Sequence, residues 1–110
     1  TGKLLSPRKI MISTRKRVEE LIENPGSELN LLDNYITREE LWACTTCNAC
    51  VEACPLNIDP LDIIVQMRQY LVMEESSAPQ SINAMNTNIE NNGAPWAYSQ
   101  ADRGMWIKEN

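Results

Sequence analysis

All four cysteines of this 110-residue chain fall inside twelve residues, Cys44-Thr45-Thr46-Cys47-Asn48-Ala49-Cys50-Val51-Glu52-Ala53-Cys54-Pro55. Four thiols packed this tightly constrain the fold more than any other feature. Disulfide scaffolds spread their cysteines to close loops, and a cluster does not. Structural zinc sites pair two C-x2-C knuckles across a longer spacer, and the run contains no spacer.

The spacing is C-x2-C-x2-C-x3-C-P, the iron–sulfur run of bacterial ferredoxins. A cubane cluster needs thiolates arriving from several directions. A tight loop carrying Cys44, Cys47 and Cys50 can wrap three corners. Small or polar Thr45, Thr46, Asn48 and Ala49 leave room for sulfides and let backbone N–H groups point at them. Pro55 then stops the short helical turn presenting Cys54. In two-cluster ferredoxins the last cysteine of such a run ligates the other cluster, whose remaining cysteines are not among these 110 residues. Residues i and i+4 share a helix face, so Cys50 and Cys54 could equally reach one cubane. Spacing alone leaves both arrangements open.

The remaining composition agrees with a small, metal-stapled domain over residues 1–110. The hydrophobic fraction is 43%, which permits a core, but with 5% aromatics and no Phe it is a thin one that a cluster would help to hold. No run of 18 apolar residues exists, so no membrane span is expected. No secretory signal is visible, and a chain opening on Thr1-Gly2 is expected to be cut from something larger. Clustered cysteines without a signal point to a reducing cytoplasm. Charge is divided: residues 1–17 hold six Lys/Arg and no acid, while the rest hold 4 basic and 15 acidic residues. The first helix therefore shows either a solvated basic face or a docking surface for an acidic partner. Nucleic acid is not expected, since the net charge is −5 and no aromatics interleave with the basic residues.

Periodicity and caps predict an all-α fold of five or six short helices around the cysteine loop. Ser6-Pro7 is an N-cap/N1 pair. Ile10, Met11, Val18, Leu21 and Ile22 form a stripe, and Asn24-Pro25-Gly26 ends that helix. Residues 27–36 read as an apolar loop or turn against the core. Thr37-Arg38-Glu39-Glu40 is a capping box delivering the chain to Cys44. Ile58 suits either a cover for the cluster or ordinary core. Asp59-Pro60 opens the most apolar helix, about 60–75, expected to be largely buried. Ser77-Ala78-Pro79 restarts a helix through Ile82, Met85 and Ile89, and Asn91-Asn92-Gly93 closes it. Ser99 with Asp102 resembles a further capping box before Met105, Trp106 and Ile107. No strand signal and no internal repeat is visible.

With these residues in view, the chain resembles the α-helical ferredoxin module of heterodisulfide reductase iron–sulfur subunits and glycolate oxidase-type iron–sulfur proteins. Residues 40–55 match the second cysteine run of that family, Leu5-Ser6-Pro7-Arg8-Lys9 matches its "LSPRK" stretch, and Asn92-Gly93-Ala94-Pro95-Trp96 with Ala101-Asp102-Arg103 matches its tail. The resemblance implies that Cys44, Cys47 and Cys50 hold one [4Fe-4S] cluster. It implies that the fourth ligand comes from an earlier cysteine run upstream of Leu5, and that Cys54 serves that run's cluster. It further implies an electron-transfer module of a larger oxidoreductase, with a cysteine-rich catalytic domain or subunit downstream and a flavin- or quinone-linked redox partner. The parent is expected to be cytoplasmic, at most peripheral to a membrane complex. An apolar face left where the earlier run packs would favour a homodimer. No His is present, and no nucleophile–base pair or acid–base carboxylates stand out, so no active site of its own is expected. The alternative is a zinc-stapled or metal-free helical interaction module without redox activity.

Overall fold

A computed structural model describes residues 2–108. It is all-α: among the described residues there is no strand, only an isolated bridge between Leu32 and Ile36. The order is α1 Pro7–Glu23, α2 Leu31–Asn34, α3 Arg38–Ala43, α4 Ala49–Ala53, α5 Pro60–Met73, α6 Gln80–Asn92, a 3-10 turn Gln100–Gly104, and α7 Met105–Lys108. Several segments are shorter than three turns, which is why they exceed the five or six expected.

The described chain divides into two compact units, one ending at Glu74 and the other starting at Glu75. In the first, helix starts follow the local chemistry. The Ser6 side chain accepts the Lys9 N–H at 3.4 Å, and Pro7 opens α1. The Asp59 carboxylate accepts the Asp62 N–H at 3.0 Å, and Pro60 opens α5. At α3 both halves of the capping box form: the Glu40 N–H donates to the Thr37 hydroxyl, and the Thr37 N–H donates to the Glu40 carboxylate. Residues 31–34 are a kinked turn rather than a regular helix, since Leu32 (ψ 135°) and Asp33 (φ 69°) leave helical geometry.

Ile10, Ile36, Leu41, Ile64 and Leu71 form the core, flanked by Leu5, Leu31, Leu32, Tyr35, Cys44, Ile63 and Met67. α5 is the hub, touching α1, α3 and α4. Two ties reinforce it. Buried Glu40 accepts from Lys9 Nζ at 2.7 Å, joining α1 to α3. The Glu20 carboxylate accepts from Ser27 and Tyr35 hydroxyls, both at 2.7 Å, and from Arg17, joining α1 to the turn after it.

Apolar periodicity does not by itself mean burial, and the expectation for α5 needs correcting. Along α1 the apolar stripe is only partly covered: Ile10 is buried, but Val18, Leu21 and Ile22 are exposed, since the turn after α1 packs on its Arg17 and Glu20 side. Nor is α5 largely buried. Pro60, Ile64 and Leu71 face the core, whereas Val65, Tyr70 and Met73 are exposed, because a unit this small covers one face of its central helix.

In the second unit α6 ends where expected, with Gly93 in the left-handed region (φ 68°) closing onto the Ile89 carbonyl. The Ser99 hydroxyl accepts from Ala101 N–H rather than from Asp102, so a 3-10 turn replaces the capping box. No described residue from Glu75 onward is buried. No helix among the described residues is long and apolar enough to cross a membrane.

Candidate metal centre

The cysteine run lies between α3 and α5, with short α4 inside it. Cys44 is the C-cap of α3. Its backbone is extended (φ −72°, ψ 129°), and its side chain packs at the edge of the core. From there the chain must reverse within a few residues, and it does so through two left-handed positions, Thr46 (φ 56°) and Asn48 (φ 65°). Asn tolerates this region; a β-branched Thr does not, and such a residue stores about 1–3 kcal/mol of strain. The strain sits inside the loop that carries the thiols. In return the loop turns N–H groups inward. The Thr46 N–H donates to Cys44 Sγ at 3.4 Å.

Cys47 is exposed at the apex. Its thiol is held below the usual range, chiefly by the Ala49 N–H and also by the Thr45 hydroxyl, against a smaller opposing effect of burial. A lowered thiol pKa favours the thiolate, the form that binds metal. Asn48 N-caps α4, and its carbonyl accepts from both Val51 and Glu52 N–H at 3.1 Å. Cys50 lies within α4 and is half-buried. Cys54 follows the helix with extended geometry (φ −80°, ψ 118°), so the helical i, i+4 relation to Cys50 stops short of it. The turn is then closed by the Asn57 N–H donating to the Cys54 carbonyl, with Asn57 left-handed (φ 56°). Ile58 is 38% exposed beside this turn, so it is not core.

All four thiols are free and gathered on one loop. Among the described residues, no three His, Cys, Asp or Glu side chains converge on the position of a single metal ion. A tetrahedral zinc would bring its sulfurs to about 3.8 Å of one another, from Zn–S bonds of about 2.3 Å. A cubane is held corner by corner and takes thiolates spaced more widely. The donor set suits it: soft thiolates with N–H groups turned toward sulfur, the hydrogen bonding that tunes such clusters.

Residues 5–58 match the family described as a 4Fe-4S dicluster domain. Those residues belong to that family. Among relatives, a probable iron–sulfur-binding oxidoreductase, FadF, of Bacillus subtilis is 38% identical over 80 residues, covering 73% of this chain and 11% of the relative. An EtfAB:quinone oxidoreductase of Syntrophomonas wolfei is 39% identical over 82 residues, covering 74% of this chain and 12% of the relative. One component of a ferredoxin/F420H2-dependent CoB-CoM heterodisulfide reductase of Methanosarcina acetivorans is 32% identical over 80 residues, covering 73% of this chain and 45% of the relative. The chain thus spans about a tenth of the first two relatives and less than half of the third. No solved structure matches at a significant level. The chain is an α-helical iron–sulfur electron-transfer module, with a [4Fe-4S] cluster as its cofactor. The zinc-stapled and metal-free alternatives are not favoured.

Three residues support the loop in ways that sequence reasoning misses. Arg68 of α5 reaches the end of α3, where its guanidinium donates to the Leu41 and Cys44 carbonyls. Its one signal is that it is the only basic residue in the most apolar helix. Thr45 and Thr46 do more than leave room for sulfide: Thr45 helps to hold the Cys47 thiol down, and the Thr46 N–H donates to Cys44 Sγ. The basic first helix is partly neutralised from within, since Lys9, Arg15 and Arg17 pair with Glu40, Glu19 and Glu20. That supports the solvated-face reading over the docking surface.

Proposed function

We propose that Cys44, Cys47 and Cys50 hold one [4Fe-4S] cluster and that Cys54 serves a second, the remaining ligands of both coming from outside these residues. The observation that carries this reading is the single tight loop that holds the thiols, in which the Thr46 N–H donates to Cys44 Sγ at 3.4 Å and the Cys47 thiol is held down beside the Ala49 N–H. Such donors stabilise anionic sulfur and, in a bound cluster, its reduced state. The extended backbone at Cys54 supports its separate assignment, as does a family described as a dicluster domain.

When bound, the clusters supply one-electron chemistry; the chain supplies thiolates, donors to sulfur and partial burial. The unit acts as a relay inside a larger oxidoreductase, passing electrons between a flavin- or quinone-linked partner and a catalytic domain or subunit. Relatives named as a quinone oxidoreductase and a heterodisulfide reductase component support that setting.

The test is iron and acid-labile sulfide analysis, with visible spectra, of the oxygen-free protein as its host makes it. Wild type should show a broad band near roughly 400 nm that dithionite bleaches. Cys44→Ser, Cys47→Ser and Cys50→Ser should each remove one cluster's iron. Cys54→Ser should affect the other cluster and leave the first intact. A colourless protein with stoichiometric zinc would overturn the reading.

A further inference from the structure

The backbone of Cys44 is gripped by a side chain from a distant helix. Arg68 is half-buried in α5. Its Nε donates to the Leu41 carbonyl at 2.8 Å, and its Nη2 is shared between the Leu41 and Cys44 carbonyls. The guanidinium carbon lies 4.9 Å from the centre of the Trp42 ring. A six-residue helix such as α3 ends in carbonyls that lack intrahelical donors, and its extended C-cap adds no left-handed closure. Arg68 supplies those donors from another element. Its planar fork fixes two carbonyls at once and stacks on an aromatic face, which the point charge of a lysine cannot reproduce.

One contacted oxygen belongs to the same residue as the first thiol of the run. Holding that oxygen fixes where the Cys44 backbone leaves α3, and so the direction from which its sulfur is offered. It also sets the positive charge of the guanidinium on the backbone of the residue that carries that sulfur. A fixed positive charge favours the more negative of two redox states at a nearby centre.

We propose that Arg68 is a positioning residue for the iron–sulfur site, which fixes the Cys44 backbone and raises the reduction potential of the cluster that Cys44 holds. The proposal rests on the assignment of Cys44 as a ligand. In the redox step it concerns, one electron from the protein's redox partner enters the cluster, and no bond is made or broken.

Arg68→Met keeps length and apolar packing while removing charge and donors; Arg68→Lys keeps the charge without the fork. Each is made in the protein as its host produces it and purified without oxygen. Three quantities are measured: the midpoint potential by redox titration, the rate of iron loss to a chelator, and the melting temperature of the metal-free form. Arg68→Met should have a lower potential than wild type and lose iron at least several-fold faster. Arg68→Lys should restore most of the potential while still losing iron faster than wild type. If both variants melt lower but keep wild-type potential and iron retention, Arg68 only caps α3 and the proposal is overturned. Should Arg68→Met not fold, Arg68→Lys decides: wild-type iron retention in it overturns the proposal. Cys44→Ser separates ligation from positioning. Unchanged iron content in that variant removes the ligand assignment, whatever Arg68 does; lost iron there with inert Arg68 variants removes the positioning role alone.

Discussion

In the unit that ends at Glu74, five apolar side chains are all but sealed from water, each no more than 1% exposed. In the unit that starts at Glu75, Trp96, Tyr98, Met105, Trp106 and Ile107 are all more than half exposed. Both units have helices begun or ended by sound local chemistry: Ser6, Thr37 and Asp59 in the first, Gly93 and Ser99 in the second. Local signals therefore do not explain the difference. The first unit has a central helix, α5, on which α1, α3 and α4 converge; in the second, α7 touches chiefly the 3-10 turn before it. Caps place helices, but a core needs a third element to close over the first two. The cysteine loop belongs to the unit that has one.

The largest test of this contrast is Leu71→Ala, at a side chain with no exposed surface. It should cost about 2–5 kcal/mol in denaturant unfolding; a loss below about 1 kcal/mol would mean α5 is not the hub. Next is Thr37→Ala, which removes one half of the capping box before the cysteine loop. About 1 kcal/mol is expected. Smaller and dependent on pH is Glu40→Gln. Burial pushes the Glu40 carboxyl up, but Lys9 and the Thr37 N–H outweigh it and hold the carboxyl below the ordinary range. A carboxyl depressed on folding contributes stability above its unfolded pKa and loses it as pH falls through the folded one. With Lys9 largely exposed, the wild-type advantage at pH 7 should be about 0.5–1 kcal/mol. It should close as the solution is acidified below the ordinary glutamate range of about 4.3, and a gap that widens in acid would reverse the sign. At the bottom stands Trp106→Ala in the second unit, expected within about 0.5 kcal/mol. A cost like that of Leu71→Ala would erase the distinction between the units.

Much of this is legible in the chain because it is local. Ser6-Pro7, Asp59-Pro60 and Thr37 with Glu40 act over three or four residues, so they can be read without knowing the fold. The cysteine spacing carries the metal and its chemistry for the same reason. What cannot be read is which apolar residues find a partner. Val18, Leu21 and Ile22 continue the periodicity of Ile10, yet nothing in the sequence reveals that they stay exposed while Ile10 is buried. Val65 and Tyr70 look as buried as Ile64 and Leu71 until the width of the unit is known. Arg68 goes unnoticed because its partners are backbone carbonyls 24 and 27 residues away, and carbonyl positions leave no mark on composition. The left-handed turn at Thr46 runs against the preferences of its residue type, as it can where a loop is shaped for a ligand rather than for its own stability.

Because α5 follows the cysteines in the chain, the brace is synthesised after the part it braces. At roughly 5–20 residues per second, the thiols leave the ribosome about one to five seconds before Leu71 does. During that interval Cys44 to Cys54 have neither the core nor the Arg68 clasp behind them. Metal delivered in that window would meet an unformed loop, and metal delivered after it a shaped one.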